Sequence, residues 1–366
     1  MKFTLSTKPL KNVIGLGIIK ANISKYYYRS NVVQLTASRD TLKINIEASG
    51  IKTKMVLRGS GDTDTVVSTI VECVKFKSLI DSIDADIITL EFISGGIYVH
   101  AGHSSFSIPQ LLDTDDVQLD EPDSEYTSAG TLTVNPDDWQ FIHDHQMYAL
   151  ASSEDHPVYT NVWVSKDKDV LTGDMKNSWF TYSKCGGFDT TCLLPASLIN
   201  LLTSIPKGST ITKSGDSYIL DIQTDSYSMV SEFLPKYESD DSVGSYNSEI
   251  ILSKLVHPES YITVGVTTIL KFINQANILK SSDKDSALEF ILGDETLLLK
   301  TSSGSYSMDV DTLESYEVNF KLELFKSVIS NFDADKINIS PIWNGDSAVG
   351  CIFWTDRLTV MLAGQA

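Results

Sequence analysis

The chain has 366 residues, 42% of them apolar, and a formal net charge of −19. That length allows two or three domains with cores of their own, and so acidic a surface argues at first sight against nucleic acid as a partner. The four cysteines, Cys73, Cys185, Cys192 and Cys351, are too scattered for a disulfide framework or a paired metal motif, which points to a reducing compartment, and no stretch is long and apolar enough to span a membrane.

In chain order, the pattern opens with a strand over Lys2 to Ser6 and a helical stripe at Leu10, Val13 and Ile14. The apolar run Val13 to Ile19 is closed by Lys20 and is too short for a secretory signal. Alternating segments predict strands over Asn31 to Ala37, Thr41 to Ala48 and Thr53 to Leu57. A second stripe follows at Phe76, Leu79, Ile80 and Ile83, with apolar spacing i, i+3, i+4, i+7. An acidic connector, Asp113 to Ser128, then reads as a solvated linker.

The plan then begins again. Thr131 to Val134 predicts a strand, Trp139 and Ile142 a helix, and Thr160 to Ser165, Asp169 to Gly173 and Ser178 to Lys184 further strands. Cys192 to Leu194 leads into a stripe at Leu198, Leu201, Leu202 and Ile205, followed by strands over Ser217 to Ile222 and Tyr227 to Ser231. After a second polar linker, Glu238 to Glu249, and the unassigned apolar piece Ile250 to Leu255, a third round starts at Tyr261 to Val264. Ile269, Phe272 and Ile273 mark its first helix, and Ser286 to Leu292, Thr296 to Thr301 and Ser305 to Val310 its strands. Phe325, Val328, Ile329 and Phe332 mark its second helix. The second-helix stripes begin at 76, 198 and 325, and the first and third end alike, in Asp84-Ala85-Asp86 and Asp333-Ala334-Asp335. The chain therefore reads as an α+β protein of three tandem copies of one domain, over residues 1–124, 125–243 and 244–366.

Catalytic signals are few. No phosphate-binding glycine loop, dinucleotide fingerprint, metalloprotease helix or nucleophile elbow is present. His143 and His145 are two apart on a predicted helix and point about 200° apart, so they cannot share an ion. Cys185 and Cys192 do not match a zinc spacing, and Asp62-Thr63-Asp64 and Asp283-Lys284-Asp285 lack the remaining calcium-loop ligands and read as turns. His100, His103, His156 and His257 have no obvious partners in the sequence. No catalytic residue, metal or cofactor is expected.

Short phrases, in order along the whole chain, resemble the β subunit of bacterial DNA polymerase III, the sliding clamp. They are Met1-Lys2-Phe3-Thr4, Ser105-Phe106-Ser107-Ile108-Pro109, Leu194-Pro195, Phe233-Leu234-Pro235-Lys236-Tyr237, Ala276-Asn277-Ile278-Leu279 and Thr359-Val360-Met361-Leu362. The resemblance implies a head-to-tail homodimer whose six domains form a ring, with antiparallel sheets outside and two helices per domain inside around duplex DNA. It implies a processivity factor in the cytoplasm that tethers a DNA polymerase and works with a clamp loader. The departures fit a divergent, bacteriophage-encoded member.

On that reading the helix faces opposite the apolar stripes meet DNA through Lys8, Lys11, Lys20, Lys75, Lys77, Lys207, Lys271, Lys280, Lys321 and Lys326, with Lys25 and Arg29 adding charge from a loop. A basic bore inside an acidic rim reconciles DNA with the net charge. The first helix of the middle copy departs from this pattern, carrying Asp137, Asp138 and Asp144. The resemblance places subunit contacts at Phe106, Ile108, Ile278 and Leu279. It places a cleft for short apolar peptides at Thr172, Gly173, Trp179, Pro235, Tyr237, Val360, Met361 and Leu362. The alternative is a non-enzymatic structural or assembly protein built of repeated β-rich domains.

Overall fold

The computed structural model describes residues 1–20, 32–48, 51–111, 119–122, 126–151, 157–176, 179–184, 189–233, 246–279, 287–312 and 314–365. In chain order the elements are β1 (Lys2–Ser6), α1 (Thr7–Lys20), β2 (Val32–Ala37), β3 (Thr41–Ala48), β4 (Ile51–Arg58), β5 (Ser60–Gly61), β6 (Val67–Glu72), α2 (Cys73–Ser82), β7 (Ile87–Ile93), β8 (Gly96–Ala101) and β9 (Ser104–Pro109). Next come β10 (Gly130–Thr133), α3 (Pro136–His145), β11 (Asn161–Val164), β12 (Asp169–Asp174), β13 (Trp179–Lys184), β14 (Cys192–Pro195), α4 (Ala196–Leu202), β15 (Thr210–Ser214), β16 (Ser217–Gln223) and β17 (Tyr227–Phe233). The last third holds α5 (Ser248–Lys254), β18 (Ile262–Gly265), α6 (Val266–Ile278), β19 (Ala287–Gly293), β20 (Thr296–Thr301), β21 (Gly304–Asp309), β22 (Tyr316–Lys321), α7 (Leu322–Ser330), β23 (Lys336–Asn344), β24 (Ser347–Trp354) and β25 (Leu358–Ala363).

Contacts divide the chain into two compact units, and the middle repeat is shared between them. The first unit comprises Met1–Pro136, Phe188–Thr190 and Ser197–Glu238. It holds a five-stranded sheet ordered β5-β1-β7-β8-β9 and an eight-stranded sheet ordered β10-β15-β16-β17-β4-β3-β2-β6. Every pairing in both is antiparallel. The alternation along β4, buried at Ile51, Thr53, Met55 and Leu57, shows one face turned inward. Helices α1 and α2 pack on each other, with Leu10, Val13, Ile14, Phe76 and Ile80 wholly buried.

The second unit comprises Asp137–Gly187, Thr191–Ala196 and Ser239–Ala366. Its sheets are ordered β14-β11-β12-β13-β25-β24-β23-β18 and β21-β20-β19-β22. Helices α6 and α7 pack together and share a core of Ile269, Ile273, Phe290, Phe320, Phe325, Ile329 and Phe353. The aromatic members interlock, Phe320 with Phe325 at 5.4 Å and Phe325 with Phe353 edge-on at 5.7 Å between ring centres.

Two sheet junctions join successive repeats. β17, the last strand of the middle repeat, pairs with β4 of the first, from Tyr227 opposite Leu57 to Phe233 opposite Ile51. β25, the last strand of the third, pairs with β13 of the middle one, from Trp179 opposite Leu362 to Ser183 opposite Leu358. Both junctions cover strand edges that would otherwise be open. β9, the corresponding last strand of the first repeat, and β21, the corresponding partner strand of the third, are sheet edges.

Several expectations are corrected here. The linker Asp113 to Ser128 is not simply solvated: Leu119 is 2% exposed against Val32 and Ile70. Glu121 forms ion pairs with Lys43 and, at 2.9 Å, with Lys54, and receives a hydrogen bond from Asn45 Nδ2 at 3.3 Å. The lysine hydrogen bond, above all from Lys43, lowers the Glu121 carboxyl to about 2. The end of the second linker and the unassigned piece after it form α5, whose Ile251 is buried together with Leu255 just beyond it. The periodicity assigned no range to β5, β6, β7, β8, β15, β22, β23 or β24.

Candidate nucleic-acid and partner interfaces

α1, α2, α3, α6 and α7 each bury an apolar stripe and expose a largely polar face, and these faces differ in charge. On α1, which contains no acidic residue, Lys8 is exposed and Lys11 is half-buried, its Nζ donating to the Asp81 carbonyl of α2 at 2.9 Å. Lys20 is the last residue of α1, and its side chain lies outside the described residues. α2 opposes its buried Cys73, Phe76 and Ile80 with Lys75, which pairs with Glu72 at 2.5 Å, and Lys77, which pairs with Asp81. Lys207 is exposed in the turn after α4. α6 again contains no acid: Val266, Ile269, Phe272, Ile273 and Ala276 are buried, while Thr267, Thr268, Lys271, Asn274 and Gln275 face water. Lys321 is exposed at the start of α7, and Lys326 is half-buried within it. Among the described residues, Lys8, Lys271, Lys321 and Lys326 form no ion pair. Lys25, Arg29 and Lys280 lie outside the described residues.

α3 is the exception. Trp139, Phe141 and Ile142 are buried, and the other face carries Asp137, Gln140, His143 and Asp144 without a lysine or arginine. His143 Nδ1 lies 2.8 Å from Asp144 Oδ1, and Gln140 Nε2 donates to both Asp144 carboxylate oxygens at 2.8 Å. The His143 contact first, and Gln140 second, hold the Asp144 carboxyl below its ordinary value. His145 turns away, its Nδ1 2.6 Å from the Asn331 carbonyl and its ring 4.7 Å from Phe141. The two histidines thus serve different partners.

The expected cleft residues divide over two faces of one sheet. Gly173 lies opposite Phe180, which lies opposite Met361, so these three share a face. The Phe180 ring sits directly on Gly173: a Cβ there would come within 2.1 Å of it. Thr172, Trp179, Val360 and Leu362 are on the opposite face and are buried. Val360, Leu362 and Trp179 belong to the core around Phe325. Thr172 Oγ1 donates to the Gln146 carbonyl at 2.9 Å, in a buried polar network completed by Thr181 and Ser183. Because consecutive strand residues alternate, Met361 cannot share a surface with Val360 and Leu362. Pro235 and Tyr237 lie outside the described residues.

The sequence reading missed what covers the Met361 face. Tyr246, Ile251 and Leu255 pack with Trp163, Leu171 and Phe180, and half-buried Leu252 and Met361 flank them. Tyr246 lies 4.8 Å from Tyr159 and is stacked 6.4 Å from Trp163. The usable signal was the i, i+4 spacing of Ile251 and Leu255. Ile250, 63% exposed, and Met175, 45% exposed, are apolar surface residues of the same unit. His257 is also partnered: its Nε2 lies 2.8 Å from Thr359 Oγ1 and its ring stacks on Trp354 at 4.9 Å. His100 Nε2 meets Glu91 at 2.8 Å. The thiols of Cys73, Cys192 and Cys351 are buried, and Cys185 lies outside the described residues.

At the proposed subunit contacts, Phe106 is 42% exposed on edge strand β9, on the same face as buried Ile108. Ile278 and Leu279, at the end of α6, are 82% and 68% exposed.

No known family matches the sequence, and no curated protein is significantly similar to it. Solved structures do match in fold. The DNA polymerase III β subunit of Thermotoga maritima is 13% identical with a TM-score of 0.78, covering 100% of this chain and 99% of its own. The DNA polymerase sliding clamp of Bacillus subtilis is 14% identical with a TM-score of 0.73, covering 100% and 99%. The β subunit of Pseudomonas aeruginosa is 13% identical with a TM-score of 0.73, covering 100% of both. The chain has the fold of these proteins from end to end.

Proposed function

We propose that this protein is a DNA sliding clamp, a polymerase processivity factor that holds on by encircling duplex DNA. The observation that carries this reading is the full-length likeness to sliding clamps. Two features support it physically. The first is the junction rule: the last strand of one repeat pairs with a middle strand of the repeat before it, at β17–β4 and β25–β13. Applied once more, it pairs β9 with β21 of a second copy, and the operation is reciprocal, so a head-to-tail homodimer closes with no edge of this kind left over. Phe106 and Ile108 would then meet Ile278 and Leu279.

The second feature is the set of cations that form no ion pair among the described residues, Lys8, Lys271, Lys321 and Lys326; the proposal adds Lys11, Lys20, Lys25, Arg29, Lys75, Lys77, Lys207 and Lys280 as further contributors. Lysine ammonium groups on flexible stems attract phosphates without reading bases, so such contacts are salt-dependent and compatible with sliding. The three repeats correspond to domains at 1–124, 125–243 and 244–366.

No covalent chemistry is required, and no enzymatic role is assigned. DNA polymerase and a clamp loader would engage the half-buried Leu252 and Met361 at the edge of the Phe180 cluster, in the cytoplasm of a bacterium or of a phage-infected cell. The test is polymerase extension on primed circular DNA with the cognate polymerase. The protein should lengthen products, and Lys8→Glu with Lys271→Glu should abolish the gain. Unchanged stimulation by that variant would refute the basic-bore mechanism.

A further inference from the structure

The first helices of the three repeats occupy the same place in the plan, yet they differ in sign. α1 carries Lys8, Lys11 and Lys20 and no acid, and α6 carries Lys271 and no acid. α3 carries Asp137, Asp138 and Asp144 and no lysine or arginine. Asp137 and Asp144 are exposed, whereas Asp138 is half-buried and partnered. The groups around α3 do not reverse this charge. His143 and Gln140 are committed to Asp144, and His145 is committed to the Asn331 carbonyl. Arg357 sits 4.0 Å over the Phe141 ring, next in sequence to the exposed Asp356. The second helix of the same repeat, α4, has no charged residue at all.

We infer that the α3 face is a stand-off segment: the carboxylates of Asp137 and Asp144 repel DNA phosphates and keep the grip weak. This rests on the clamp reading and adds to it which part of the chain does not touch DNA. The carboxylates limit affinity, which a protein that must slide can use.

The magnitude follows from charge and screening. A unit charge about 10 Å from a phosphate in water changes affinity about twofold, and salt above about 0.1 M screens most of that. Asp137→Asn with Asp144→Asn should therefore bind a 30-base-pair duplex about fourfold more tightly than the unaltered protein at low salt, measured by fluorescence anisotropy on the full chain. The gain should shrink below about twofold at high salt. Asp221→Asn with Asp225→Asn, on the β16–β17 hairpin, removes the same net charge elsewhere and should leave binding unchanged. Lys8→Gln with Lys271→Gln should weaken binding and flatten its salt dependence. An α3 variant that binds no more tightly overturns the inference and leaves the clamp reading intact. Equal tightening by the hairpin variant also overturns it, because net charge would then be the cause. Failure of the unaltered protein to bind duplex at any salt overturns the inference, whereas the clamp reading is decided by retention on circular DNA.

Discussion

Ile278→Ala with Leu279→Ala should dissolve the proposed head-to-tail dimer without harming the subunit. Fully burying an isoleucine or leucine contributes about 1.5–3 kcal/mol. Ile278 and Leu279 are 82% and 68% exposed in the single chain, so covering them recovers most of that amount. Truncation to alanine keeps the Cβ and gives up about 1–1.5 kcal/mol per side chain, or about 2–3 kcal/mol per seam. A head-to-tail dimer closes two identical seams, so the loss doubles to about 4–6 kcal/mol, a weakening of roughly a thousandfold to ten-thousandfold in Kd. The isolated subunit should keep its stability within about 0.5 kcal/mol, because both side chains are already in water. Sedimentation equilibrium over nanomolar to micromolar concentrations, with a thermal melt on the same samples, reads both quantities. A variant that dimerises within a factor of about three of the unaltered protein would refute the seam, as would an unaltered protein that is monomeric at tens of micromolar.

Other consequences are equally open to measurement. Glu121 has its carboxyl lowered from 4.5 to about 2 by Lys43 and Lys54. A lowered folded-state value means the stabilisation is present above the ordinary carboxylate range and is lost as pH falls from about 4.5 toward 2. The pair is 37% exposed on the carboxylate side, so after discounting for solvent Glu121→Gln should cost about 1 kcal/mol at pH 7 and nothing at pH 2, read as converging melting curves. Gly173→Val should destabilise by about 1–3 kcal/mol, because Phe180 occupies the space; an unchanged denaturant midpoint would show that the ring moves away freely. Phe325→Ala, at a wholly buried position, should cost about 3–5 kcal/mol by the same measurement, whereas Lys326→Gln one residue on should cost almost nothing.

The parts of the structure legible in the sequence are those set by local periodicity. The stripes Leu198-Leu201-Leu202 and Phe325-Val328-Ile329 are buried because a helix of 3.6 residues per turn puts them on one side. Leu79, in the matching stripe, is only half-buried, and Ile205 and Phe332 are buried just past their helices rather than in them. What was not legible depends on contacts distant in sequence. Nothing in Tyr227 to Phe233 announces β4 as its neighbour, yet that pairing joins two repeats. Glu121 looked like linker charge because its partners, Lys43 and Lys54, lie far upstream. His257 looked solitary because Thr359 is 102 residues away.

The cleft shows a different limit. Val360, Met361 and Leu362 were named from resemblance alone, and the alternation of the strand sends Met361 to one face and its neighbours to the other. The helix faces carry charge that composition concealed: a net of −19 coexists with helices such as α1 and α6 that have no acidic residue.

The claim that this protein encircles DNA is tested most directly by retention on circular against linear duplex. The protein is assembled with a nicked plasmid, passed through a sizing column at a salt concentration that breaks phosphate contacts, and the plasmid is then cut once. Encirclement predicts that the protein stays with the circle and is released on linearisation. Release from the circle at that salt, or retention after the cut, would contradict it.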